Sequence, residues 1–105
     1  MRKAGEDMPG LFVVMRRYGP PYIRGRPLEQ QEDWDAHRVF MNALETRGVV
    51  RLGGPLEEGE DVLLILRAND KEEIERRLAD DPWTRSGLLS TTRISRWELR
   101  IGDVA

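Results

Sequence analysis

Two short runs of this chain, Leu11-Phe12-Val13-Val14-Met15 and Val62-Leu63-Leu64-Ile65-Leu66, are apolar at every position. Successive side chains of a strand point to opposite faces, so a half-exposed strand alternates and a continuous apolar run must be covered on both sides. These two runs therefore belong in the middle of a sheet. The elements around them supply the rest of the frame. A helix is expected from about Leu28 to Arg47, with Pro27 before its first turn and Gly48 at its C-terminal end. Trp34, His37, Phe40, Met41 and Leu44 form its core-facing stripe. Val49–Leu52 reads as a short strand that turns through Gly53-Gly54-Pro55 and a polar hairpin into the second apolar run. Asp70 followed by Glu73 resembles a capping box at the start of a second helix. Pro82 breaks that helix, and Asp81-Pro82-Trp83-Thr84 opens a short further piece ending at Gly87. A last strand runs from Leu88 to Ile101. Ile94 is out of phase there with Trp97, Leu99 and Ile101, which places a bulge near Ser95.

The order is β-α-β-β-α-β, the ferredoxin-like α+β arrangement, in which strands one and three occupy the centre of a four-stranded antiparallel sheet. Both helices cover the same face. The other face leaves alternate residues of the third strand in water, which a second copy packed sheet to sheet would remove. A homodimer is the expectation.

At 105 residues the chain makes one domain, with residues 1–9 a loose polar tail and residues 10–105 the folded unit. Charged residues make up 34% but are mixed in sign, and the net charge of −2 gives no footprint for nucleic acid or an anionic membrane. There is no cysteine and a single histidine, which excludes disulfides, thiolate chemistry and a multi-histidine metal site within one chain. Glu29, Glu32, Asp33 and Asp35 read as a wet helix face and not as metal ligands. No run is long enough for a membrane span, and the first residues lack an apolar signal core. A soluble cytoplasmic protein is expected.

The aromatic-bearing first strand, Asp35-Ala36-His37 on the first helix, Gly53-Gly54-Pro55 after the second strand and the block from Asp81 to Leu88 occur in an order that resembles the YCII-related family. That family shares the dimeric α+β barrel fold with muconolactone isomerase. The resemblance covers about residues 10–101 and implies a His–Asp dyad, here His37 and Asp81. It also implies a pocket between helices and sheet, and isomerisation or elimination on small cyclic or aromatic-derived acids.

The residues themselves admit two readings. His37 can shuttle a proton near neutral pH, or it can be a buried histidine held by a structural hydrogen bond or by an i to i+4 pair with Asp33. Asp81 can orient His37, or serve as the N-cap before a proline, and one carboxylate can do both. Arg17, Tyr18 and Arg51 could hold a substrate carboxylate or could be solvated and ion-paired. Gly54 and Pro55 could admit a ligand close to the backbone or form a plain turn, and Trp83 is pocket wall or core. The long Gly19–Pro27 segment, with Tyr22, Arg24 and Arg26, is a lid candidate. Two functions follow. One is a cofactor-independent enzyme in which His37 and Asp81 transfer a proton on a small cyclic or acidic metabolite. The other is a non-catalytic dimeric domain that binds a small ligand or acts as an accessory protein.

Overall fold

The computed structural model describes residues 9–104, so the expected tail falls outside it except for Pro9. The chain runs β1 (Gly10–Tyr18), a single 3-10 turn (Leu28–Gln30), α1 (Trp34–Thr46), β2 (Val50–Pro55), β3 (Asp61–Ala68), α2 (Lys71–Ala79), α3 (Pro82–Ser86) and β4 (Leu89–Trp97). All strand pairs are antiparallel, in the order β2-β3-β1-β4. The two continuously apolar runs are thus the central strands, and the fold is the ferredoxin-like α+β fold.

The core lies between one sheet face and the helices. Phe12 and Val14 of β1 and Val62, Leu64 and Leu66 of β3 meet Leu44, Ile74, Leu78 and Trp83 from the helical layer. The helices stop where local chemistry stops them. Asp70 accepts from the Glu73 amide at 2.7 Å, and the Glu73 carboxylate accepts from the Asn69 amide at 2.7 Å, which satisfies two amides at the start of α2. Gly48 ends α1 with φ +78°, a conformation that costs glycine nothing.

Three boundaries differ from expectation. The first helix does not run unbroken from Leu28. Asp33 adopts φ +62°, in the left-handed region, and α1 starts only at Trp34. Gln31 accounts for the break. Its buried side-chain amide donates to the Ile23 and Arg26 carbonyls at 2.9 and 2.8 Å and accepts from the Ile23 amide at 2.9 Å. A continuing helix would aim that side chain elsewhere and leave the loop backbone unpaired. In β4 the extra residue is Thr92, between the pairs Met15–Arg93 and Arg16–Thr91, and not one near Ser95. Its hydroxyl donates to the Met15 carbonyl at 3.2 Å. β4 also ends at Trp97, so Leu99 and Ile101 lie beyond the sheet and Ile101 is 90% exposed.

The register places Leu11, Val13, Met15, Leu63, Ile65, Leu52 and Trp97 on the sheet face opposite the helices. Leu11 and Ile65 are buried even so, whereas Leu52 and Trp97 are 58% and 41% exposed.

Candidate active site

β1 brings alternate side chains to the helical layer. Phe12 and Val14 do so as apolar residues, and the next in phase is Arg16, only 1% exposed. A buried guanidinium requires an anion and further acceptors. Asp81 supplies the anion, with Oδ2 accepting from Arg16 at 3.0 Å. The Thr84 hydroxyl and the Leu89 carbonyl take the other terminal nitrogen, while Nε is buried without a partner.

Asp81 is wholly buried because it is the N-cap of α3, with Pro82 at the first helical position. Its Oδ1 accepts from the Trp83 amide at 3.0 Å and lies 2.8 Å from His37 Nδ1. Burial pushes the Asp81 carboxyl up. The hydrogen bond of His37, the Trp83 amide and Arg16 outweigh it and hold the group below the usual carboxylate range. An ionised carboxylate only accepts, so Nδ1 of His37 carries the proton. Nε2, across the ring, bonds none of the described residues and is the nitrogen available to a ligand. Burial lowers the Arg16 guanidinium, opposed by the bond to and charge of Asp81, and leaves it cationic at neutral pH.

His37 opens on a cavity of about 250 Å³. One side is aromatic. The His37 ring stacks on Trp83 with centroids 3.9 Å apart and planes within 9°, and Trp34 leans on both. Trp83 is itself fixed by its indole N–H, which donates to the Glu32 carbonyl at 2.6 Å. Val62, Leu64 and Leu89 form an apolar side, and Gly53, Gly54 and Pro55 form another. Tyr18 and Leu28 complete it. Tyr18 stacks on Tyr22 of the loop at 4.0 Å, and burial, with a contribution from Tyr22, raises its phenol above the ordinary value. It stays protonated, a hydrogen-bond donor, across the neutral range.

Six of the eight residues singled out in the sequence fall together here. His37, Tyr18, Gly54, Pro55 and Trp83 line the cavity, and Asp81 stands behind His37. Arg17 and Arg51 do not line it. Arg17 has the opposite parity to Arg16, is exposed, and donates to Asp61 at 3.2 Å. Arg51 donates to the Val104 carbonyl at 3.1 Å. Neither offers its charge to a ligand in this cavity, and no lysine or arginine is among its lining residues. The residue that sequence reasoning overlooked is Arg16. The signal was its phase, because it shares parity with Phe12 and Val14. Of the lid candidates, Arg24 pairs with Glu60 and so ties the loop to the β2–β3 hairpin.

The model of the YCII-related domain matches residues 11–98. The chain belongs to the YCII-related family. Among solved structures this YCII-related domain is similar to 5-chloro-2-hydroxyhydroquinone dehydrochlorinase (TftG) from Burkholderia phenoliruptrix AC1100, in complex with 2,5-dihydroxybenzoquinone. The TM-score is 0.61 over 84% of this chain and 93% of that one, at 23% identity, a likeness that shows the fold. No curated protein matches the chain. Among the described residues, no helix is long and apolar enough to cross a membrane, and no three His, Cys, Asp or Glu side chains are grouped to hold a metal ion.

Proposed function

We propose that this YCII-related domain is a cofactor-independent cytoplasmic enzyme of isomerase or lyase type, acting on a small cyclic or acidic metabolite, with His37 moving the proton and Asp81 holding His37. The observation that carries this reading is the one-sided use of the imidazole. Nδ1 is tied to a buried carboxylate and Nε2 is left to a cavity with aromatic walls. A proton acceptor fixed in tautomer and orientation is what abstraction from a bound carbon or hydroxyl acid needs. Proton return at another atom gives isomerisation, and departure of a leaving group gives elimination. The dehydrochlorinase named above carries out a reaction of the second kind on a hydroxylated ring. An apolar cavity of about 150 Å³ suffices for benzene. One of about 250 Å³ suits a single substituted ring, and its aromatic walls favour the cyclic choice.

The sheet face bearing Leu52 and Trp97 supports a homodimer formed through that face. A second, non-catalytic reading draws on the fact that Asp81 is already occupied as helix cap and as counter-ion of Arg16.

The deciding experiment replaces His37 by Gln and follows both folding and turnover on a substrate found by thermal-shift screening of cyclic metabolites. Loss of about 10²–10⁴ in kcat with an unchanged circular dichroism spectrum is expected. Full activity in the variant rejects His37 as the group that moves the proton, and a lowered melting temperature with unchanged ligand binding supports the non-catalytic reading.

A further inference from the structure

Arg16 is a buried charge that the chemistry just described does not use. It touches no cavity-facing atom of His37, yet both meet on opposite oxygens of one carboxylate. We propose that Arg16 is a positioning residue that sets the resting charge of the site. By neutralising Asp81 it keeps His37 an uncharged Nδ1–H tautomer, so that the first step is proton abstraction by Nε2 and not proton donation.

The argument is an inventory of charge around one ring. From α3, His37 faces Asp81, wholly buried. From β1 it faces the Tyr18 phenol across the cavity, and Arg16 through Asp81. The β2 and β3 residues at the cavity are glycine, proline, valine and leucine, without charge. On its own helix Asp35 and Arg38 lie in water and pair with each other at 3.8 Å. Asp33, the N-cap of α1, is exposed and its side chain caps nothing.

A buried aspartate alone beside a histidine favours the imidazolium, because the two charges cancel. Here Arg16 has already cancelled it. A proton added to His37 would leave the cluster with a net positive charge, since the one carboxylate is already matched by the buried Arg16 guanidinium. Arg16 also fixes the plane of the Asp81 carboxylate, since Oδ2 is held by the guanidinium while Oδ1 is held by the Trp83 amide.

This deepens the reading of His37 as the reacting group, but its test needs no substrate. His37 is the only histidine, so its ring nitrogens are identified without ambiguity in a uniformly ¹⁵N-labelled sample. In the unaltered protein at about pH 7 one protonated and one bare nitrogen are expected, the protonated one being Nδ1. In Arg16→Met the doubly protonated ring should replace the uncharged one in the spectrum at that same pH. Arg16→Lys, which keeps the charge, should give the same ring spectrum as the unaltered protein. Should Arg16→Met not fold, Arg16→Gln removes the charge while keeping a polar group near Thr84 and gives the same reading.

An imidazolium in the unaltered protein at that pH, or an uncharged ring at that pH in a folded charge-removing variant, overturns the proposal. Neither result touches the enzymatic assignment, since His37 could still act as an acid. Conversely, a fully active His37→Gln variant would end the reading of His37 as the reacting group and leave this charge balance standing.

Discussion

His37 and Trp83 stack face to face at 3.9 Å, and the same oxygen of Asp81 accepts from the Trp83 backbone and meets His37 Nδ1. The helix cap and the imidazole therefore share one acceptor, and the indole covers the ring they hold. An imidazolium in contact with an indole quenches its emission, so tryptophan fluorescence should fall as His37 takes up a proton. The pH-dependent part of the signal should vanish in His37→Gln, shrink in Trp83→Phe, where Trp34 still leans on His37, and survive in Trp97→Phe. Persistence of the same titration in His37→Gln would show that the stack is not its source.

Asp81→Asn keeps a capping side chain but leaves Arg16 buried without a counter-ion. A loss of about 3–5 kcal/mol in unfolding free energy is expected, the cost of breaking a buried pair from one side. Chemical denaturation checks it. The carboxyl of Asp81 is depressed in the folded state, so its stabilisation is fully present above the unfolded value near pH 3.9 and is lost as pH falls through the folded value. The unaltered protein should lose stability steeply in that acid window, and the slope should be shallower in Asp81→Asn.

At Gly53 an added Cβ would lie 2.6 Å from Leu64 Cδ2, in the cavity wall, whereas at Gly54 it would meet nothing within 4 Å. Leu64 is buried and must move into the cavity or distort β3. Gly53→Ala should cost about 1–3 kcal/mol and weaken ligand binding. Gly54→Ala should leave the stability of the single chain within about 0.5 kcal/mol. Paired denaturation curves decide the contrast, and equal effects at the two positions would count against the placement of this wall.

The face opposite the helices carries Val13 near its centre, on β1 between β3 and β4. In a homodimer joined through that face, Val13→Glu buries an unpaired carboxylate in each copy and should convert the dimer to monomer, while leaving the helix-side core intact. Sedimentation equilibrium reads the result. An unaltered protein that sediments as a monomer at micromolar concentration would remove the dimer from this account.

Much of the fold was legible because it rests on short-range chemistry. Continuous apolar runs marked the two central strands, Asp70 with Glu73 and Asp81 with Pro82 marked helix starts, and Gly48 and Gly87 marked helix ends. His37 was legible as well, being a polar residue on an apolar helical stripe. Where side chains reached beyond their own segment the pattern failed. The helix break at Asp33 answers to Gln31 bonding a loop five to eight residues away, and the bulge at Thr92 answers to the register against β1.

The sequence by itself determined which segments become strands and helices, and their order, since periodicity and capping act within a few residues. Only the tertiary structure decided which of two adjacent arginines is a solvated surface charge and which is the buried counter-ion of Asp81. Strand register places Arg16, 65 residues from Asp81 in the chain, on the helix side and turns Arg17 away. The same docking closes the 44-residue gap between His37 and Asp81. A contact between segments so distant costs chain entropy that no local preference offsets, so it exists only once the apolar core has brought them together.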